Sequence, residues 1–193
     1  DDIITQKWAR SLQPTPLTIG MTGVSGTIGT ALAALATTGG HRVVSLVRRE
    51  PVGEDERRWD PDNPAADLLD GLDVVVHLAG SSIAGRFTDA HVSRVRHSRV
   101  EPSAALARVA AAAAADGRGP RVFVGASAIG YYGADRGDEE LTENSAPGDG
   151  VIADIVRDWE SAYSPAADAG LRVVTVRTGV VQASAGGMLK VLR

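Results

Sequence analysis

Short apolar runs alternate along this chain with longer stretches of helical period. Leu17–Met21 has the length and composition of a strand. It passes through Thr22-Gly23-Val24-Ser25-Gly26-Thr27-Ile28-Gly29 into an alanine- and leucine-rich pattern, Ile28–Thr38, that predicts a helix. Gly39-Gly40 supplies the stop signal. Arg42–Val47 predicts a second strand, and the polar segment 50–66 a proline-bearing loop with a short strand near Arg57–Trp59. Asp73–Leu78 is continuously apolar apart from Asp73 and His77, the pattern of a strand buried on both faces. Thr88 is placed to cap a helix running to about Arg99, and Pro102 predicts a kink or restart before the alanine-rich helix Ser103–Ala115. Arg121–Ala126 predicts a strand and Asp154–Ala169 a helix that Pro165 kinks or ends, with Arg172–Val176 as the last strand.

Strands alternating with helices imply right-handed βαβ units and a parallel sheet covered on both faces, a Rossmann-type doubly wound α/β fold. The 193 residues suffice for one such domain. Residues 1–16, closing on Pro14 and Pro16, read as a tail or linker, and residues 17–193 as the domain. The pattern breaks off soon after Gly186-Gly187-Met188-Leu189 without a closing polar cap, so the domain is expected to be incomplete at its C-terminus.

Composition narrows the function classes. Hydrophobic residues at 44% and charged ones at 23% are ordinary for a soluble globular protein, and no apolar run approaches membrane-spanning length. The absence of cysteine excludes disulfides and thiolate chemistry and fits a reducing compartment, so a cytoplasmic location is expected. A net charge of −4 argues against nucleic acid as a partner. His41, His77, His91 and His97 have no metal-ligand spacing, and no metal site is expected. A small-molecule partner remains, in a monomer or a homo-oligomer.

The candidate chemistry begins at the glycine turn. A strand, a tight loop and a helix N-terminus present unpaired backbone N–H groups and the positive end of the helix dipole, which suit a phosphate. The glycines are spaced G-x-x-G-x-x-G over Gly23, Gly26 and Gly29, a variant of the dinucleotide-binding pattern. The second strand ends in Arg48-Arg49, where NAD-binding folds place an acid for the ribose 2′-hydroxyl. Two guanidinium groups and no acid at this slot favour a 2′-phosphate, hence NADP(H). Leu78-Ala79-Gly80 closes the Asp73–Leu78 strand with small residues that let a flat cofactor approach the backbone.

Together with Trp59-Asp60-Pro61, His77, Ser98-Arg99, Ser127-Ala128-Ile129-Gly130-Tyr131-Tyr132-Gly133, Trp159-Glu160 and Arg177-Thr178-Gly179-Val180-Val181, these motifs resemble the extended short-chain dehydrogenase/reductase superfamily. Their order is similar to that of its epimerase-like atypical subgroup, the nucleoside-diphosphate-sugar epimerase-like proteins. The resemblance covers about residues 17–193 and implies that a substrate-binding part follows in such proteins. It also implies cofactor contacts from Gly23, Ser25, Gly26, Thr27, Ile28, Gly29, Arg48, Arg49, Leu78, Ala79, Gly80 and Arg99.

The superfamily's proton-transfer machinery is a serine, a tyrosine and a lysine four residues after the tyrosine. Ser127 matches the serine, but no Tyr-x-x-x-Lys exists here, and counting back from Glu160 places Ile152 and Val156 at the two positions. An unassisted tyrosine has a pKa near 10, so at neutral pH it lies about three units, roughly 4 kcal/mol, from acting as a base. Tyr131 and Tyr132, which follow Ser127 closely, are the candidate substitutes and would support reduction more easily than oxidation. The expected function is therefore an NADP(H)-binding oxidoreductase or epimerase-like protein acting on a carbonyl or secondary alcohol, a nucleotide sugar being the substrate that the resemblance suggests. The alternative is a non-catalytic NADP(H)-binding module.

Overall fold

The computed structural model describes residues 15–183 and 186–187. Most of the tail or linker read at residues 1–16, and the chain after Gly187, lie outside the described residues. Six strands form one fully parallel sheet: β1 (Thr18–Thr22), β2 (Arg42–Val47), β3 (Glu56–Arg58), β4 (Val74–His77), β5 (Val122–Ala128) and β6 (Arg172–Thr178). Their spatial order is β3-β2-β1-β4-β5-β6. The order reverses between β1 and β4, and the crevice above that switch point is where open α/β sheets take ligands. A separate antiparallel pair joins β7 (Gln182–Ala183) to β8 (Gly186–Gly187).

The helices are α1 (Thr27–Thr38), α2 (Asp89–Ala115), α3 (Val151–Ser161) and α4 (Ser164–Asp168). Thr88 caps α2 by accepting the His91 N–H at 3.3 Å, as its position predicts. The restart expected at Pro102 is not seen: α2 is one continuous helix of 27 residues with Pro102 buried inside it. The alanine run serves packing as well as helix propensity, because Ala107, Ala110 and Ala113 are fully buried and let α2 lie close on its neighbours. Trp159 of α3 donates its indole N–H to Ser103 of α2 at 3.0 Å, which ties the two helices.

The helix predicted at Asp154–Ala169 begins earlier and is divided. Gly150, at φ +101°, turns the chain into α3 at Val151, and Pro165 sits in the first turn of the separate α4. Strand β5 runs two residues further than its apolar pattern predicts, since pairing with β6 continues to Ala128 opposite Thr178. Ser127 therefore lies within a strand, where its backbone is fixed by the ladder.

At the end of β4 the His77 ring is completely buried, with the Trp59 ring edge-on at 5.6 Å between centroids. Thr22 Oγ1 already accepts the N–H groups of Leu78 and Ala79 at 3.1 and 3.2 Å, which leaves its own proton for His77 Nδ1 at 2.8 Å. Burial holds the imidazole neutral and its pKa down to about 4. The unfolded chain takes up this proton near pH 6.5 and the folded one only near pH 4, so stability is full above pH 6.5 and falls as the pH drops toward 4. The expected loss is roughly 3 kcal/mol. Denaturant midpoints measured from pH 7 to pH 4 should show this slope in the wild type and a shallower one in His77→Gln.

Candidate cofactor and active site

The crevice is built from the carboxyl ends of β1, β4, β5 and β6. At its β1 end, Gly23 has a φ of +69°, and a Cβ there would stand 2.8 Å from the Leu78 carbonyl carbon. A side chain is excluded on both counts. The Gly26 N–H donates to the Gly23 carbonyl at 2.9 Å, closing the turn. A Cβ at Gly29 would overlap the Gly23 carbonyl oxygen and lie 2.8 Å from Val24 Cα, both backbone atoms with little freedom to withdraw. Gly26 caps α1 with no side-chain hydrogen bond, so the first-turn N–H groups stay available to a ligand phosphate. Gly23, Gly26, Thr27, Ile28 and Gly29 line the cleft, while Ser25 is exposed on the turn.

Arg48 and Arg49 differ in their surroundings. Arg48 is exposed and, among the described residues, makes no ion pair. Arg49 is bound in a two-pronged pair to Glu56 of β3, at 2.7 and 2.5 Å. The hydrogen bonds between them push the Arg49 pKa up and the Glu56 pKa down. The expectation of a slot with no acid is thus corrected: β3 brings a carboxylate to it across the β2–β3 pairing, and Arg48 is the unengaged cation.

On the β4 side Leu78 lines the cleft and Ala79 packs against the core. Gly80 faces Arg99, whose Cγ and Cζ would lie 3.6 Å from a Cβ at that position. Arg99 is held by its own helix and by the loop between β4 and that helix, donating to the carbonyls of Val95 at 3.1 Å and Ser81 at 3.0 Å. Its guanidinium lies 5.2 Å from the Trp159 ring centroid. Burial lowers its pKa, and among the described residues no carboxylate pairs with it, an arrangement suited to an anionic group in the cleft.

Ser127 is buried at the floor of the cleft, and its hydroxyl donates to Glu160 Oε1 at 2.5 Å. Glu160, on α3, is gripped from the other side by Arg177 of β6, with Nε to Oε1 at 2.8 Å and Nη2 to Oε2 at 2.9 Å. Arg177 stands directly opposite Ser127 in the β5–β6 register. The bond to Glu160 raises the Arg177 pKa above its ordinary value. Sequence reasoning flagged Glu160 and Arg177 only as parts of resembling motifs. The available signal was Arg177 itself, a charge near the end of a valine-rich strand.

The tyrosines gather at Arg177. The Tyr131 ring centroid lies 3.5 Å from the guanidinium carbon, and the Tyr132 hydroxyl accepts Arg177 Nη1 at 2.9 Å while donating to the Thr142 carbonyl at 2.9 Å. Neither tyrosine lines the cleft, whereas Ser127, Ile152 and Val156 do. Ile152 and Val156, the positions matched to the missing tyrosine and lysine, thus form an apolar wall beside Ser127.

A dinucleotide fits this constellation. The Gly23–Gly29 cradle admits no Cβ at its closest points, the helix N-terminus supplies phosphate donors, and the apolar wall suits a nicotinamide face.

The chain is similar to known proteins over most of its length. The model of the NAD dependent epimerase/dehydratase family matches residues 19–179. An epimerase family protein of Mycobacterium tuberculosis is 40% identical over 91% of this chain and 57% of its own length. The chain therefore spans little more than half of this curated relative. The crystal structure of the nucleoside-diphosphate sugar epimerase from Corynebacterium glutamicum is 47% identical with a TM-score of 0.82, over 99% of this chain and 40% of that one. Human epimerase family protein SDR39U1, solved with NADPH, is 29% identical with a TM-score of 0.78, over 91% of this chain and 58% of that one. Among the described residues, no helix is long and apolar enough to cross a membrane.

Proposed function

Because the chain belongs to the NAD dependent epimerase/dehydratase family, we propose that it holds NADP(H) in this cleft and acts as an oxidoreductase or epimerase-like protein on a carbonyl or secondary alcohol beside Ser127. The observation that carries this reading is the continuity of one cleft from the glycine cradle to the Ser127 hydroxyl. The cradle residues Gly23, Gly26, Thr27, Ile28 and Gly29 take the pyrophosphate, with Ser25 on the outside of the turn. Arg48 and Arg49 take the 2′-phosphate, Leu78, Ala79 and Gly80 carry the flat part of the cofactor, and Arg99 offers an anion contact. A bound nicotinamide supplies or accepts the hydride. Ser127 orients the reacting oxygen, while Tyr131 and Tyr132 act behind it through Arg177.

The preference for the 2′-phosphorylated cofactor rests chiefly on Arg48, since Arg49 is shared with Glu56. A charge-assisted hydrogen bond contributes about 1.5–3 kcal/mol, so Arg48→Ala should weaken NADPH binding by about tenfold to a hundredfold and leave NADH nearly unchanged. Calorimetric titration of both cofactors measures this, and equal losses would contradict the assignment.

Ile152 and Val156 in place of a tyrosine and lysine favour a second reading, a binding module that responds to NADP(H) without turning it over. NADPH raises the melting temperature under either reading. Consumption of NADPH with a panel of carbonyl compounds, a nucleotide 4-keto sugar among them, occurs only under the first.

A further inference from the structure

Among the described residues lining the proposed active cleft, Ser127 is the one whose hydroxyl is tied to a carboxylate, and the direction of that bond matters. Its proton points to Glu160 Oε1, so the Ser127 oxygen faces the cleft with acceptor lone pairs. Glu160 Oε1 also accepts Arg177 Nε, and Oε2 accepts Arg177 Nη2, which holds the carboxylate in one orientation. Among the described residues, the other charged or titratable groups around it are Tyr131, stacked on Arg177, and Tyr132, bonded to it, together with Tyr163 and Arg99. Tyr163 is buried and donates its hydroxyl to the Ala126 carbonyl at 2.8 Å, so its proton is committed elsewhere.

We propose that Glu160, fixed by Arg177, is the proton acceptor of this site and works through Ser127, taking over the task of the absent tyrosine–lysine pair. The proposal rests on the oxidoreductase reading above. In alcohol oxidation the substrate O–H bond breaks as its proton passes to Ser127 Oγ. The Ser127 O–H bond breaks in turn as that proton passes to Glu160 Oε1, one O–H bond forming for each that is lost. The carbinol hydrogen leaves with its electron pair to the oxidised nicotinamide, and the carbon–oxygen single bond becomes a carbonyl. In reduction Glu160 first takes a proton from solvent, and that proton passes through Ser127 to the new alkoxide oxygen. Ser127 touches the substrate and relays the proton, and Glu160 is the proton acceptor behind it.

The chain contains no cysteine, so Ser127→Cys introduces a single thiol whose ionisation can be followed by thiolate absorbance without cofactor or substrate. A neighbouring carboxylate disfavours the thiolate, whereas Arg177 alone favours it. The thiol midpoint in Ser127→Cys should lie above the ordinary value of about 8.5 and fall by more than about one pH unit when Glu160→Gln is added. Glu160→Asp, which shortens the reach, should give an intermediate midpoint and decides the matter if the glutamine variant does not fold. A common midpoint in all of these proteins overturns the proposal.

In parallel, Glu160→Gln in the otherwise native chain should lower NADPH consumption with 9,10-phenanthrenequinone by about a hundredfold and flatten its pH profile. The NADPH-induced melting shift should persist, and Glu160→Asp should restore part of the rate. Undiminished turnover in Glu160→Gln also overturns the relay. Absence of turnover in the wild type with every carbonyl tested overturns the oxidoreductase reading instead, while the thiol titration still decides whether Ser127 and Glu160 share a proton.

Discussion

Replacing Ser127 with alanine is expected to reduce NADPH-linked turnover by about 10²–10⁴-fold, the range that positioned acid–base groups supply. The NADPH-induced rise in melting temperature should be unchanged. The separation follows from where the side chain sits. Ser127 lies on β5 at the far end of the cleft from the glycine turn, and its hydroxyl is directed at Glu160 rather than at any cradle residue. Alanine keeps the strand register and removes only the hydroxyl. It also leaves Glu160 paired with Arg177, so no charge is stranded and the fold should retain its stability within about 1 kcal/mol. Steady-state rates and thermal melts on the same preparation test both halves, and a parallel loss of cofactor binding would show that Ser127 is not confined to the chemistry.

An equally large effect is expected at the other end of the cleft. Gly29→Ala should abolish the NADPH-induced melting shift at cofactor concentrations that saturate the wild type, a loss of affinity of about a hundredfold or more. The new methyl would overlap the Gly23 carbonyl oxygen and press on Val24 Cα, so either the turn opens or the first turn of α1 moves away. Overpacking of this kind costs about 1–3 kcal/mol of stability. Binding suffers more, because both escapes displace the very N–H groups that face the phosphate. Gly53→Ala is the control, since its Cβ would meet nothing within 4 Å. It should melt and bind as the wild type does, and a retained NADPH response in Gly29→Ala would contradict the cradle geometry.

What could be read from the chain alone was whatever lies close together in sequence. Gly23, Gly26 and Gly29 announce the turn because seven consecutive residues contain the whole of it. The β2 strand was bounded correctly because Arg42 and the residues after Val47 frame a clean apolar run. Elements governed by a single backbone event were less legible: α3 starts at Val151 because Gly150 adopts a positive φ, which no hydrophobic period records. The site's charges were the least legible of all. Glu160 meets Ser127 because α3 packs on β5, Arg177 stands beside Ser127 because β6 pairs with β5, and the 33 positions from Ser127 to Glu160 carry no pattern that encodes the contact. Likewise Glu56 reaches Arg49 through the pairing of β2 with β3, so two arginines that look alike in sequence have different roles in space. Ile152 and Val156 were placed by counting, and both line the cleft together with Ile155 and Trp159.

The Arg49–Glu56 pair alters how the protein should respond to ionic strength. An arginine waiting bare for a phosphate loses attraction for its ligand steadily as salt is added. Here the protein carries its own counterion, so in the proposed NADP(H) complex the 2′-phosphate exchanges with Glu56 for Arg49, and salt weakens the incumbent as it weakens the newcomer. Any selectivity contributed by Arg49 under that proposal is thereby buffered against the medium, and the salt sensitivity of cofactor choice falls chiefly on Arg48.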